Sequence, residues 1–368
     1  MAGIRQTLKL AVEQGATLSR EKARQLLSEI LASEPREVDS GEVDSGQADL
    51  EIAALLTAFA TRGETVDELT GFAEAMRALS LPVPLTNEER AMLVDNCGTG
   101  GDGMGTFNIS TGAALVAVAA GAKVAKHGNR AVTSYCGSAD VLEAMGVPVA
   151  LSPEQSVACL RATGFMFLYA PALHPSLKRV QPIRKALGFR TIFNLAGPLT
   201  NPAAAPAQVM GVYSADKVSL VAETMARLGV RHAFVVHGLD GLDELTLTGE
   251  SSVAEVTGSS DESTGNNVRL YRLTPEEAGL PRASLAQLAG GTTVAENAAM
   301  LERIFQGETS PRRDVVLLNA AAALVAAGIA ADFGEGVACG AEAIDSGKVQ
   351  ETVGTLREFA RSAVGSAR

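Results

Sequence analysis

The sequence predicts an α/β protein built from a small α-helical N-terminal domain and a large α/β domain with a mostly parallel central sheet. Its 368 residues suit two domains. Up to about residue 85, apolar residues recur at helical spacing. From about residue 90, short apolar runs alternate with glycine-rich loops and helical patterns, which is typical of parallel strands covered by helices. We therefore predict a helical domain at 1–85 and an α/β domain at 90–368.

Capping signals mark the helices of the N-terminal domain. Ser19 precedes a helical pattern over Arg20–Leu31, and Thr65 with Glu68 forms a T-x-x-E capping box before another helix. Between these helices the pentapeptide EVDSG occurs twice in tandem, over residues 37–46. Because the duplication is acidic and rich in Ser and Gly, we expect it to form a solvated loop.

The α/β domain is predicted from the alternation of strand and helix patterns. The expected strands are Met92–Asn96, Ala122–Ala125, Phe165–Tyr169, Val209–Tyr213 and Ala233–Val236. The expected helices begin at Thr111 and Ser152 or span Ala215–Leu228, Val294–Gln306, Arg312–Ala327 and Glu351–Ala363. A β-rich segment follows Asp243 and is broken by a surface loop at Gly258–Asn267. The most apolar stretch, Val315–Ala331, is interrupted by Asn319 and is predicted to be a buried helix, since it is short for a membrane span.

Composition and charge exclude several classes of function. With 31 basic and 42 acidic residues the net charge is −11, which disfavours a general affinity for nucleic acid or anionic membranes. Aromatic residues are scarce, so a base-stacking surface is not expected either. The four cysteines lack metal-ligand spacing, and the N-terminus lacks a signal-peptide core. We therefore expect a cytoplasmic protein without nucleic-acid or membrane partners.

Glycines cluster after the first predicted strand, in DNCGTGGDGMGTFNIST (Asp95–Thr111). Glycines between a strand and a helix allow successive backbone N–H groups to converge on one phosphate. Asn108 and Ser110 can cap the following helix, whose N-terminus attracts anions. The spacing matches neither the dinucleotide-binding fingerprint nor the P-loop. The residues alone favour a phosphate-binding loop, with an ordinary tight turn as the alternative.

A cationic cluster lies in the next loop, AKHGNRAVTSYCGSAD (125–140). Lys126 or Arg130 alone would fit a surface charge, and His127 alone would fit a buried hydrogen-bonding side chain. Together, beside a glycine-rich loop, they predict an anion site. Ser138 begins a further helix whose N-terminus can face a phosphate.

Two further signals are ambiguous by themselves. Asp243 and Glu244 are adjacent carboxylates after a glycine-containing loop, and Mg²⁺ prefers such ligands together with phosphate oxygens. Adjacent acidic residues are also common on protein surfaces. Arg184 lies on a predicted helix, where its guanidinium can pair bidentately with a carboxylate or remain a solvated charge.

These segments together resemble the anthranilate phosphoribosyltransferase family. The resemblance rests on GTGGD, NIST, KHGNR, GSADVLEAMG and HPSLKRVQPIRKALGFRTIFNLAGPLTNP, and it covers nearly the whole chain. It implies a nucleoside phosphorylase-like phosphoribosyltransferase fold, with a helical piece near 180–200 added to the N-terminal domain and the active site in the cleft between the domains. It implies transfer of the phosphoribosyl group of phosphoribosyl pyrophosphate to anthranilate, giving N-(5-phosphoribosyl)anthranilate and pyrophosphate in tryptophan biosynthesis.

The resemblance also implies which residues bind each component. The implied donor-binding residues are Gly98, Gly101, Asp102, Thr106, Asn108, Ile109, Ser110, Thr111, Lys126, His127, Gly128, Asn129, Arg130, Ala131, Val132, Thr133, Ser134 and Ser138. The implied anthranilate-binding residues are Gly98, His127, Asn129, His174 and Arg184. The implied ligands of magnesium, about two ions per subunit, are Ser110, Asp243 and Glu244.

No residue is assigned as a nucleophile or a general base. The resemblance implies displacement at ribose C1 through an oxocarbenium-like transition state, with pyrophosphate stabilised as it leaves. It also implies a homodimer. Two alternatives remain: a pyrimidine nucleoside phosphorylase-like enzyme, which the Asp243–Glu244 pair and Arg184 oppose, and a nucleic-acid-binding paralogue without activity, which the net charge opposes.

Overall fold

The computed structural model describes residues 2–33, 36–37, 43–44, 46–131, 135–258 and 267–365. In chain order, the helices are α1 (Ala2–Gln14), α2 (Arg20–Ala32), α3 (Gly46–Arg62), α4 (Val66–Ala78), α5 (Asn87–Ala91), α6 (Ile109–Ala119), α7 (Ser138–Ala144), α8 (Pro153–Thr163), α9 (Ala170–Leu173), α10 (Gln181–Leu187), α11 (Ile192–Ala196), α12 (Lys217–Arg227), α13 (Val294–Phe305), α14 (Pro311–Ala326), α15 (Phe333–Asp345) and α16 (Lys348–Gly365). The strands are β1 (Arg36–Glu37), β2 (Val43–Asp44), β3 (Leu93–Gly98), β4 (Lys123–Gly128), β5 (Phe165–Tyr169), β6 (Ala207–Gly211), β7 (His232–Gly238), β8 (Ser251–Thr257) and β9 (Asn267–Leu273).

The chain divides into two compact units. The helical unit comprises residues 1–81 and 171–200, and the α/β unit comprises residues 82–170 and 201–368. The change of pattern in the sequence predicts a domain boundary between residues 85 and 90, and the family resemblance implies that a helical piece near 180–200 joins the N-terminal domain.

The helical unit is built around buried aromatic side chains. The rings of Phe59 and Phe72 meet edge to face at 6.1 Å, and Phe193 packs on Phe72 at 5.9 Å. The capping box of Thr65 and Glu68 at the start of α4 is confirmed. Ser19 is the residue before α2, as predicted, but its side chain makes no capping hydrogen bond.

Part of the duplicated pentapeptide forms a short antiparallel pair. Residues 36–37 of β1 pair with residues 43–44 of β2, and α3 begins at residue 46. The remaining positions of the duplication lie outside the described residues, as do residues 259–266 of the predicted surface loop.

A seven-stranded sheet forms the centre of the α/β unit, in the order β5-β4-β3-β6-β7-β8-β9. The neighbours from β5 to β7 pair in parallel, and β8 and β9 join antiparallel. The predicted mostly parallel sheet is confirmed, and each of the five predicted strands is present. Because parallel strands present their carboxyl ends at one edge, the loops after β3, β4 and β7 meet there.

Helix α14 is buried along most of its length in the α/β unit. The predicted buried helix is thereby confirmed. No helix among the described residues is long and apolar enough to cross a membrane.

Candidate functional site

The glycine-rich loop joins β3 to α6. Gly100, Gly101, Gly103 and Gly105 have φ between 64° and 75°, a left-handed conformation that favours glycine. The N–H of Gly100 donates to Oδ2 of Asp243 at 2.7 Å. The loop therefore directs one of its backbone N–H groups towards the segment between β7 and β8 (residues 239–250), which carries Asp243 and Glu244 and is called the acidic segment below.

The cap predicted for α6 is partly wrong. Asn108 precedes the helix, but its side chain makes no capping bond there, and its Nδ2 donates to the carbonyl of Cys136 at 3.0 Å. Ser110 lies in the first turn of α6 and does not cap it. Its backbone N–H instead donates to the carboxylate of Glu244. The N-terminus of α6 thus holds one of the two acidic residues that the sequence singled out.

Within the described residues, one carboxylate cluster has the geometry of a metal site. Asp102, Asp243 and Glu244 each offer an oxygen, and these atoms lie within 4.8 Å of one another. Burial, reinforced by the charge of Asp102, raises the pKa of Asp243 to about 7. Burial and the charge of Asp243 raise the pKa of Glu244 well above its ordinary value. A divalent cation relieves such repulsion, and carboxylate oxygens are the ligands that Mg²⁺ prefers, so these residues fit magnesium.

The structure adds a residue to the metal set predicted from sequence. Asp243 and Glu244 were predicted as ligands, whereas Asp102 was predicted only as a donor-binding residue. Its oxygens also fix the local backbone, since Oδ1 accepts the N–H of Met104 at 3.1 Å and Oδ2 the N–H of Asp243 at 3.4 Å. The feature of the sequence that could have identified Asp102 as a metal-binding residue is the presence of an acidic residue inside the glycine-rich run. The predicted role of Ser110 as a metal ligand stays a prediction.

Two glycines allow the acidic segment to approach the sheet. A Cβ on Gly211 would lie 1.5 Å from the carbonyl oxygen of Asp243. A Cβ on Gly98 would lie 2.8 Å from Oδ2 of Asp243. Any side chain at position 211 would displace this backbone. Gly211 was not predicted from the sequence as a site residue, because it ends an ordinary apolar strand.

Lys126 lies in the interior of the α/β unit, with a fractional exposure of 2%. Its Nζ donates to the carbonyl of Asn96 at 2.6 Å. Burial lowers the pKa of Lys126, and the charges of Asp95, Cys97, Glu244 and Asp243 oppose that shift. The structure therefore places this cation within electrostatic range of the acidic cluster.

Asp95, next to Lys126 in this network, orients the start of the loop after β4. Its Oδ1 accepts the N–H of His127 at 3.0 Å, and burial raises the pKa of Asp95 to about 6. His127 is itself buried. Asp95 was not predicted from the sequence as a site residue, because a single acidic residue inside an apolar run has no distinctive pattern.

The loop after β4 is held by Asp140. Its Oδ2 accepts the N–H groups of Ala131 and Gly137, both at 2.9 Å. Arg130 donates to Asp140 at 3.0 Å and to Glu143 at 2.7 Å. These carboxylates raise the pKa of the Arg130 guanidinium. Arg130 is therefore paired with protein carboxylates here, and its predicted contact with a phosphate stays a prediction.

Other predicted donor-binding residues lie along the same loop. The carbonyl of Asn129 accepts the hydroxyl of Ser138 at 3.2 Å and the N–H of Ala139 at 3.1 Å. A Cβ on Gly128 would lie 2.4 Å from the Ser138 hydroxyl oxygen. The predicted residues Val132, Thr133 and Ser134 lie outside the described residues.

In the helical unit, Arg184 lies on α10 and is half-buried. Its guanidinium carbon lies 5.2 Å from the ring centroid of Phe193, and burial lowers the pKa of Arg184. Among the described residues its guanidinium forms no hydrogen bond or ion pair. A desolvated guanidinium without a carboxylate partner is a suitable receptor for a carboxylate ligand.

His174 also lies in the helical unit, with a fractional exposure of 2%. Burial lowers the pKa of His174 to about 4, although hydrogen bonds to the backbone of Thr200 and Met76 act in the opposite direction. The imidazole is therefore neutral at pH 7. The predicted contact of His174 with anthranilate stays a prediction, and the low exposure of this side chain does not favour it.

Comparisons with known proteins identify the family of this chain. Residues 90–350 match the glycosyl transferase family, a/b domain, and residues 7–80 match the glycosyl transferase family, helical bundle domain. The anthranilate phosphoribosyltransferase of Moorella thermoacetica is 47% identical over 349 residues, which cover 94% of this chain and 99% of that protein. That of Symbiobacterium thermophilum is 50% identical over 84% of this chain and 87% of that protein. The chain belongs to the anthranilate phosphoribosyltransferase family.

Solved structures of the anthranilate phosphoribosyltransferase family share the fold. The enzyme from Thermus thermophilus is 41% identical, with a TM-score of 0.84 over 98% of this chain and all of that chain. The enzyme from Saccharomyces cerevisiae, solved in complex with PRPP and Mg, is 28% identical, with a TM-score of 0.86 over 98% of both chains.

Membership of the anthranilate phosphoribosyltransferase family confirms two predictions made from the sequence. The family was predicted from its motifs, and the fold from the change of pattern between helices and alternating strands. The comparisons do not favour a nucleoside phosphorylase or a nucleic-acid-binding paralogue.

Proposed function

We propose that this protein transfers the phosphoribosyl group of phosphoribosyl pyrophosphate to the amine of anthranilate. The products are N-(5-phosphoribosyl)anthranilate and pyrophosphate, in tryptophan biosynthesis. The observation that carries the proposal is a cluster of three carboxylates against a glycine-rich loop, in a chain whose relatives are anthranilate phosphoribosyltransferases.

The donor is proposed to bind at the edge of the sheet where the loops after β3 and β4 begin. Backbone N–H groups of the glycine-rich loop and the N-terminus of α6 suit phosphate oxygens. Lys126 supplies a buried positive charge in the same region. These contacts follow the donor-binding set predicted from sequence, which runs through residues 98–111 and 126–138.

Asp102, Asp243 and Glu244 are proposed to hold magnesium, with Ser110 as a further ligand and about two ions per subunit. When bound, magnesium neutralises charge on the leaving pyrophosphate. The protein contributes the arrangement of the carboxylates, because the N–H groups of Gly100 and Ser110 donate to Asp243 and Glu244 and restrict their orientation.

Arg184 is proposed to bind the carboxylate of anthranilate, with Gly98, His127, Asn129 and His174 as further contacts. In the reaction, the bond between ribose C1 and the pyrophosphate oxygen breaks, and the bond between C1 and the anthranilate nitrogen forms. Pyrophosphate leaves with the electron pair of the broken bond, and the nitrogen loses its proton to water. Because an aromatic amine need lose that proton only after attack, positioning and leaving-group stabilisation supply most of the catalysis.

We also propose that the chain forms a homodimer through the helical unit. Helices α1 and α3 carry large exposed apolar side chains at Leu10, Val12 and Leu50. Sedimentation velocity is expected to show a dimer, and the pair V12D and L50D is expected to weaken it. The matched control is L270D, since Leu270 is exposed on β9 of the other unit. A monomer in the wild type would contradict this proposal.

The activity is tested by mixing the purified protein with phosphoribosyl pyrophosphate, Mg²⁺ and anthranilate and following anthranilate fluorescence. We expect fluorescence to fall only when all three are present, with one pyrophosphate released per anthranilate consumed. Unchanged fluorescence in the complete mixture would refute the proposal. Phosphate-dependent release of base from uridine or thymidine would instead support a nucleoside phosphorylase.

A further inference from the structure

Asn319 is a buried polar residue in the middle of α14. Its fractional exposure is 4%, and the residues before and after it, Leu318 and Ala320, are buried and apolar. Burying an amide costs free energy unless its donor and acceptor are satisfied. An asparagine in this position therefore needs a specific set of partners.

Those partners are concentrated on one residue of the acidic segment. Oδ1 of Asn319 accepts the N–H of Leu245 at 3.1 Å, and Nδ2 donates to the carbonyl of Leu245 at 2.9 Å. Nδ2 also donates to the carbonyl of Val315, one helical turn earlier, at 2.9 Å. One side chain thus binds both backbone polar groups of the residue that follows Glu244.

These contacts of Asn319 matter because the acidic segment, which lies between β7 and β8, pairs with no strand among the described residues. Asp243 is fixed on one side by the N–H of Gly100. Leu245 is fully buried and is fixed on the other side by Asn319. The two contacts flank Glu244 in the chain, so they hold the segment that carries both carboxylates on either side of that residue.

We propose that Asn319 is a positioning residue for the magnesium-binding carboxylates Asp243 and Glu244. The inference rests on the proposed function of this site. Groups that hold metal ligands in place typically change metal affinity by about 10- to 100-fold when they are removed. Asn319 acts through the backbone of Leu245 and does not itself touch the metal.

The test uses two substitutions at position 319 that differ in their cost to stability. N319L keeps the branched shape of the side chain, with a larger volume, and removes all three hydrogen bonds. N319S is too short to reach Leu245 but can bond to the carbonyl of Val315, as serine does one turn back in helices. The matched control is R313M, on the same helix, since Arg313 is buried and pairs with Asp345 of α15 at 2.8 Å.

Two readouts are measured on the full-length protein. Hydrogen exchange of the peptide containing Leu245, without metal or substrate, reports the contacts of Asn319 with Leu245. The Mg²⁺ concentration for half-maximal activity reports the arrangement of the carboxylates. We expect N319L and N319S to lose protection at Leu245 and to raise the Mg²⁺ requirement about tenfold or more. We expect R313M to change neither, although it lowers the melting temperature.

An unchanged Mg²⁺ requirement in N319S or N319L would overturn the proposal, even if protection at Leu245 were lost. Equal shifts in R313M would also overturn it, because general destabilisation would then explain the effect. The proposed function fails separately, if the wild type consumes no anthranilate. In that case, hydrogen exchange of the peptide containing Leu245 still decides whether Asn319 holds the acidic segment.

Discussion

Replacing Arg184 by alanine removes the group proposed to recognise the carboxylate of anthranilate. We expect the KM for anthranilate to rise about 10- to 150-fold, because a hydrogen bond to a charged group contributes about 1.5–3 kcal/mol. The KM for phosphoribosyl pyrophosphate should remain nearly unchanged. The chemistry at ribose C1 is not expected to change.

The structure supports the upper part of that range. Arg184 is half-buried against the ring of Phe193, and burial already lowers its pKa. Much of the free-energy cost of desolvating the Arg184 guanidinium is therefore incurred when the protein folds. A carboxylate ligand that binds this group gains the interaction without that cost. Since the described residues offer its guanidinium no ion pair, the alanine variant leaves no protein carboxylate unpaired. Its melting temperature should consequently change little.

The assay is a matrix of initial rates in which each substrate is varied at saturating levels of the other. R184K keeps the charge but loses the bidentate geometry, so an intermediate KM for anthranilate is expected. K185A is the matched control, because Lys185 is exposed on the same helix, and its kinetics should match the wild type. Equal increases in the two KM values for R184A would refute the assignment.

Three further predictions concern the acidic segment and a buried histidine. D243N combined with E244Q should raise the Mg²⁺ requirement about tenfold or more, and an unchanged magnesium titration would place the metal elsewhere. G211A should destabilise the protein by about 1–3 kcal/mol and reduce activity, since its Cβ would meet the Asp243 carbonyl; an unchanged urea midpoint would contradict this. Because the pKa of His174 is lowered to about 4, the unfolded chain takes up a proton below about pH 6.5 that the folded protein does not. His174 alone should therefore lower stability by about 2 kcal/mol from pH 7 to pH 5, so the stability difference between the wild type and H174Q in urea unfolding should shift by about that amount between the two pH values, and an unchanged difference would contradict this.

The elements predicted best are those whose signal is local. The capping box of Thr65 and Glu68 places two reciprocal hydrogen bonds within one helical turn, so the sequence alone identifies it. The parallel strands were found because each is a short apolar run between a loop and a helix. Helix α15 was missed because Gly334, Gly336 and Gly340 lower its helical propensity. Their absent side chains allow close packing, since a Cβ on Gly336 would lie 2.8 Å from Ala321.

The site was predicted in its parts but not in its assembly. The glycine-rich loop and the Asp243–Glu244 pair each carry a pattern, and family motifs linked them. Gly211 and Asn319 carry no such pattern, because their roles depend on contacts with the acidic segment that only the folded chain creates. Asn108 shows the opposite case. Its local signal predicts a cap, but in the structure the side chain makes no capping bond and donates instead to the carbonyl of Cys136, 28 residues away.

The most direct test of the account is the position of a divalent cation in a crystal grown with Mn²⁺ and pyrophosphate. We expect anomalous density for manganese between the oxygens of Asp102, Asp243 and Glu244, which already lie within 4.8 Å of one another. Pyrophosphate should then contact the N–H groups of the glycine-rich loop. Manganese bound elsewhere, with these carboxylates left without a metal, would contradict the account.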